Sequence, residues 1–426
     1  MKRLAPWLRV LVVLLASGCS AYVARPLDAR KLLDELRAVE APSPPGEGLD
    51  ADQAVAFALL NNPELRAFRK QRQIADNIVV SASAWRNPQL NFNLSTPFRF
   101  DLGFRIFPPL PGERATKIDS AKAEVRRVLA EIELRENAVA ADVRIRHAEL
   151  LMLREKIVID DAALRLHHRL TDLVSLRVQH NAAPKLDFVL ASMKINQVEM
   201  DRMNHVTQRD VASAEIAALL GVPAAVTLPL RRGRAPAVKD GVGDDALEDV
   251  ALRARPDLRA LQEQYEQREQ ELHLAELQKI PWPRFVQPGV IRLPGQADGE
   301  LSGAITLPIF NQNQGPIAVA TARREMAREA YVARLSAMRS EIRVARLRLA
   351  AEARRLRYFN DTMKPALEEA EQVIEAALDT AEGDPLKLGT AMVRVFDVRA
   401  EAAGAAFAYE KAAIQLELAT GTVLDR

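Results

Sequence analysis

LSGAITLPIFNQNQGPIAVATARREM, residues 301 to 326, decides how the rest of the chain is read. Its first residues alternate. Leu301, Gly303, Ile305 and Leu307 fall on one face, and Ser302, Ala304 and Thr306 on the other, which is the period of a strand. Pro308 and the Asn311–Gly315 run break that pattern, and a helical one follows. No Gly or Pro occurs between Ile317 and Lys364. Leu335, Met338, Ile342, Ala345, Leu349, Ala353, Leu356, Phe359 and Met363 step by threes and fours, as one packed face of a long helix requires. Carried past Pro365 to Ala381, the helix would have about 65 residues and measure on the order of 100 Å. A short strand feeding so long a helix is foreign to a compact domain.

Composition agrees with long packed helices. Of 426 residues, 48% are hydrophobic and 27% charged, but only 5% aromatic. The net charge of +2 gives no reason to expect a nucleic-acid partner. Residues 1–18 read as a lipoprotein signal: basic Lys2 and Arg3, an apolar run, then Ala16-Ser17-Gly18 before Cys19. Cys19 is therefore the expected acylation site, a covalent lipid being the one non-protein group expected. It is the only Cys in the chain, so neither an intrachain disulfide nor a thiolate metal cluster can form. No other segment reaches the roughly 18 apolar residues of a membrane helix. A membrane crossing would have to use strands.

Residues 19–48 read as an extended linker, ending in a Pro- and Gly-rich stretch. The first repeat spans 49–221. A helical stretch with Pro63 at or inside it runs to about Ala84, and two strands follow at about 89–95 and 98–106. In the first, Leu90, Phe92 and Leu94 oppose Asn91 and Asn93. In the second, Phe98, Phe100, Leu102, Phe104 and Ile106 oppose Arg99, Asp101 and Arg105. The alternation fits the core and solvent faces of a soluble sheet or the lipid and lumen faces of an outer-membrane barrel, and five large apolar residues facing charged ones lean toward the barrel. A long helix from about Arg114 to His180, a turn at Asn181–Pro184 and a helix to Leu220 complete the unit.

After a linker at 222–243, residues 244–426 repeat the plan. Pro63-Glu64-Leu65-Arg66-Ala67 returns as Pro256-Asp257-Leu258-Arg259-Ala260, and Trp85 returns as Trp282. A weaker strand pair is expected at about 285–293 and 300–307. Each repeat supplies one hairpin. Four strands cannot close a membrane barrel and open edges are not tolerated in lipid, so closure needs several chains, with 8, 12 or 16 strands. The repeated Trp at each helix-to-strand junction is expected at the membrane interface.

The lipoprotein signal, the LDADQAVAFALLNNPELRA opening (residues 49–67), the LPIFNQNQG segment (residues 307–315) and the duplicated layout resemble the TolC family of outer-membrane efflux channels. LPIFNQNQG is most similar to the family's heavy-metal branch. The resemblance implies a mainly α fold with a small β part. Three chains would form a 12-stranded outer-membrane β-barrel continuous with a periplasmic α-helical barrel. It also implies a passive exit duct rather than an enzyme, docking with an inner-membrane pump and a periplasmic adaptor.

By the same resemblance, acidic residues narrow the periplasmic mouth after each turn. Asp187 stands at that place in the first half, Gly389 in the second, with Glu382 and Asp384 beside the second turn. The alternative for Asp187 is a role in the first turn of its helix. Asn91, Asn93, Arg99, Asp101 and Arg105 are the lumen candidates, and their mixed signs argue against strong charge selectivity. His147, His180, His205 and His273 lack metal-ligand spacing, and the adjacent His167 and His168 point about 100° apart. The competing reading is a non-pore coiled-coil lipoprotein that tethers other components. The strands at 89–95 and 98–106 separate the two.

Overall fold

The computed structural model describes residues 22–38, 48–96, 99–223, 229–233, 243–380 and 384–422. The signal peptide and Cys19 lie outside them. The stretch expected to be an extended linker contains a helix, α1 (Ala29–Arg37), which belongs to a compact unit of its own. Asp28 starts it, its carboxylate accepting from the backbone N–H groups of Arg30 and Lys31. Leu32, Leu33 and Leu36 are exposed along its length. The reason for the correction is local: an N-cap followed by eight helix-forming residues after the Ala outweighs the short length.

The remaining elements form two copies of one unit. The first is α2 (Ala51–Asn61), α3 (Pro63–Ser83), β1 (Gln89–Ser95), β2 (Arg99–Arg105), α4 (Glu113–Gln179) and α5 (Lys185–Leu220). The second is α6 (Asp244–Ala254), α7 (Pro256–Leu277), β3 (Trp282–Leu293), β4 (Gln296–Thr306), α8 (Gln314–Tyr358), a π-helical turn (Phe359–Met363), α9 (Lys364–Thr380) and α10 (Pro385–Thr420). At 67 residues, α4 is about 100 Å long. The second long helix also runs on past Pro365. That proline has no N–H and its ring would strike the carbonyl of Asp361 in an α-helix. The π-turn at Phe359–Met363 supplies the wider spacing there.

Each unit buries its own helix cluster. Leu65, Val143, Leu150, Ile216 and Leu220 join α3, α4 and α5. Leu258, Met338, Ile342, Leu349 and Leu416 join α7, α8 and α10. A third cluster, including Leu170, Val174, Ile374 and Met392, ties α4 of the first unit to α9 and α10 of the second. The linker expected at 222–243 is pinned within it: Leu49 and Leu230 form a parallel bridge, and Leu49 N–H donates to the Pro229 carbonyl at 2.8 Å.

The duplicated prolines mark matching joints. Before Pro63, buried Asn62 accepts from Leu65 N–H and donates to the Leu219 carbonyl at 2.9 Å. Before Pro256, buried Arg255 donates to the Ala419 carbonyl at 2.7 Å. The helices meeting there end at Gly221 (φ +70°) and Gly421 (φ +74°). A Cβ at Gly221 would lie 2.5 Å from the Asn61 carbonyl oxygen, whereas one at Gly421 would lie 3.0 Å from Arg255. Gly221→Ala is expected to cost about 2 kcal/mol, more than Gly421→Ala, because left-handed strain and a backbone clash coincide. Melting temperatures of the two variants check the order.

The four strands form one open antiparallel sheet in the order β1-β2-β3-β4. The first hairpin falls close to its expected place, with β2 ending at Arg105. The second is longer than the expected 285–293 and 300–307. Leu293 pairs with Gln296 across Pro294-Gly295, and pairing runs back to Trp282 with Thr306. Gly295 at φ +84° lets the chain reverse in two residues, so Gln296–Gly299 is strand and not loop. Among the described residues, no helix is long and apolar enough to cross a membrane.

Candidate functional site

The sheet has two unlike faces. One carries Leu90, Phe92, Leu94, Leu102, Phe104, Val290, Leu301 and Ile305, every one exposed. Phe92 is 75% exposed, and its register partner Leu102 lies on the same face. Such a continuous apolar surface calls for an apolar environment or a partner. The opposite face is polar and is ordered in levels by the strand register. Asn91, Gly103, Gly289 and Glu300 share one level, and Asn93, Asp101, Ile291 and Asp298 the next. Arg99 pairs with Asp101 at 2.9 Å.

All five sequence-predicted polar-face residues therefore lie together. The sequence reading missed Gln287, Asp298 and Glu300, which adjoin them. The missed signal was alternation broken by Pro288, Gly289 and Gly299, together with the tight turn. With Asp298 and Glu300 added, the carboxylates Asp101, Asp298 and Glu300 outnumber Arg99 and Arg105. The signs on this face are mixed, with an acidic excess toward the hairpin tips.

Gln287 crosses from β3 into the first hairpin. Its Oε1 accepts from Asn91 Nδ2 and from Arg105 Nε, each at 2.9 Å. The Arg105 guanidinium lies 4.2 Å from the centroid of the Phe285 ring. Gly103 makes room: a Cβ there would meet Gln287 Nε2 at 2.3 Å and Cγ at 2.8 Å.

At the junction of sheet and helices, the two Trp residues differ. Trp85 is exposed, while half-buried Trp282 donates its indole N–H to the Pro108 carbonyl at 3.1 Å. Both line a cavity of about 790 Å³ with Arg86, Phe107 and Arg114.

At the far ends of the long helices, Asn181 (φ +56°) turns the chain from α4 to α5. Asp187 is half-buried in the first turn of α5. The cap of that helix is Pro184, with no side-chain cap bond, so Asp187 is not an N-cap. Asp384 is one: its carboxylate accepts from Leu386 N–H at 2.9 Å. Glu382 lies outside the described residues. A Cβ at Gly389 would lie 3.3 Å from Leu170 Cδ2, so a side chain there would sit close against α4.

His147, His167 and His205 sit within the helical packing. His147 Nε2 meets the Leu49 carbonyl at 3.2 Å, and His205 Nδ1 meets Asp160 at 2.7 Å. His167 is buried in α4, and burial drives its pKa down to about 4. Among the described residues, no group of three or more His, Cys, Asp or Glu is placed to hold a metal ion.

No protein-family model matches the sequence, and no curated protein matches it. Solved structures match the fold over almost the whole chain. A crystal structure of CusC, reported for changes accompanying folding and transmembrane channel formation, gives a TM-score of 0.74 at 16% identity. The match covers 91% of this chain and 96% of that one. The Campylobacter jejuni CmeC outer membrane channel gives 0.71 at 14% identity, covering 96% and 94%. The open state of the Neisseria gonorrhoeae MtrE outer membrane channel gives 0.69 at 16%, covering 88% and 90%. The chain thus has the fold of a class of outer-membrane channels. That class is the TolC class, as the duplicated sequence pattern implied.

Proposed function

We propose that this chain is the outer-membrane channel subunit of a tripartite efflux system. The observation that carries the reading is the sheet: four strands, two free edges, one exposed apolar face and one polar face. For a lone chain, free edges are unfavourable in lipid and an exposed apolar face is unfavourable in water. Joining the β1 and β4 edges of three copies gives twelve strands and satisfies both. The polar face then lines a lumen, and the long helices continue it as a periplasmic tube. Substrate moves through passively. Cys19 carries the lipid anchor, which the intact mass of the purified protein tests. The turns after the long helices face the adaptor and the inner-membrane pump. The LPIFNQNQG likeness makes heavy-metal cations the first cargo to test.

Purified in detergent, the protein should have the mass of about three chains and form steady pores in a planar bilayer. A stable oligomer that never conducts would overturn the duct and favour the tether. In the trimer, Asp187 forms a ring of three carboxylates at the periplasmic mouth, which attracts cations. Asp187→Asn should lower the cation-to-anion permeability ratio at least twofold in low salt. Asp384→Asn should change it less, because that carboxylate is engaged at its helix N-terminus. Reversal potentials across a salt gradient read both.

A further inference from the structure

Arg105 is the cation on the polar face nearest the helices, and its partners differ from those of Arg99. Arg99 is paired with a carboxylate. Among the described residues Arg105 is held by neutral groups: the Gln287 amide oxygen at 2.9 Å and the Phe285 ring at 4.2 Å. Gln287 is itself steadied by Asn91, which donates to the same oxygen. Three strands thus meet at one amide, two from the first hairpin and one from the second. Gly103 beneath it leaves the space the amide occupies.

We propose that Gln287 is a positioning residue that holds Arg105 flat against the sheet as a fixed, uncompensated cation. The proposal rests on the duct reading, in which this face lines the lumen. A guanidinium on a free side chain sweeps several ångströms into the opening. Held by Gln287 and stacked on Phe285, it stays at the wall, so the lumen stays wide and the charge stays in one plane. Three such cations lie inward of the acidic levels formed by Asp101, Asp298 and Glu300. They set the local charge that a solute meets on passing between the strands and the helices.

Two measurements test this. Arginine modification by phenylglyoxal, read by peptide mass spectrometry, needs no working pore. Arg105 should label several-fold more slowly than exposed Arg30, which lies outside the sheet, in the native protein. In Gln287→Leu and in Gly103→Ala, which displaces the same amide, Arg105 labelling should rise at least threefold while Arg30 is unchanged. Unchanged Arg105 labelling in both variants overturns the latch, whether or not the protein conducts. Single-channel recording gives the second arm. Gln287→Leu should lower conductance, raise open-channel noise and shift the permeability ratio toward anions. Those changes should vanish when Arg105→Gln is already present. Equal changes in both backgrounds overturn the proposal, since Gln287 would then act through the strands alone. A native protein with protected Arg105 but no pores overturns the duct reading and, with it, any role of the latch in permeation.

Discussion

Phe92→Arg is expected to abolish insertion of the protein into a bilayer. Phe92 sits in the middle of β1 on the exposed apolar face, opposite Leu102 in register and 75% exposed. In the assembled barrel this face meets lipid. An Arg near the midplane of a barrel costs about 2–4 kcal/mol, and a trimer carries three copies. The sum, roughly 6–12 kcal/mol, is comparable to the whole stability of an ordinary folded domain. The neighbouring Asn93 faces the other way, beside Asp101. Asn93→Arg should therefore insert normally, although it adds the same charge one residue away. Liposome insertion, scored by protection from added protease, compares the two. Equal insertion of Phe92→Arg and Asn93→Arg would sink the lipid-facing assignment of the apolar face.

Asp257→Ala is expected to destabilise the helical body by about 3–5 kcal/mol. Asp257 lies in a charge quartet at the second proline joint, in which it and Arg255 are buried and Arg334 and Glu341 half-buried. Arg255 donates to both its carboxylate oxygens, at 3.0 and 2.8 Å, and Arg334 also bonds to it. Glu341 completes the set, accepting from Arg255 at 2.8 Å and from Arg334 at 2.6 Å. Two cations and two anions balance. Removing Asp257 leaves the Arg255 guanidinium buried with one carboxylate shared between two arginines.

The pH dependence has a definite sign. Burial pushes the Asp257 carboxyl up, but the hydrogen bonds and charges of Arg255 and Arg334 outweigh it and hold the pKa at about 2. The unfolded chain titrates near its ordinary value, 3.8. The contribution of the ionised form, roughly 2 kcal/mol, is complete above pH 4 and is lost as pH falls toward 2. The melting temperature should fall more steeply between pH 4 and pH 2 in the native protein than in Asp257→Asn. Parallel slopes would mean that the quartet is not held in the folded state.

The joint shows how far sequence reading reaches. The repeat of Pro63-Glu64-Leu65-Arg66-Ala67 as Pro256-Asp257-Leu258-Arg259-Ala260 was plain, and it located two equivalent helix starts. That Asn62 and Arg255, chemically unlike, both reach a carbonyl at the end of another helix was not. The two donors come from different side chains, and their acceptors, Leu219 and Ala419, are more than 150 residues away in the chain.

Local periodicity determined much of this protein: the long helices, the first hairpin, the two faces of β1 and β2, and the duplication that implies a multi-chain barrel. These depend on repeat distances of two and 3.6 residues, which a sequence displays directly. Only the tertiary structure decided which polar residues meet. The tight turn at Pro294-Gly295 brings Asp298 into the face, because a single positive-φ Gly replaces a six-residue loop. The strand register puts Gln287 over Gly103 and against Arg105. The packing of α10 on α4 brings Gly389 close to Leu170. The last two are contacts between segments far apart in the chain, set by how the strands and helices pack and not by any local pattern.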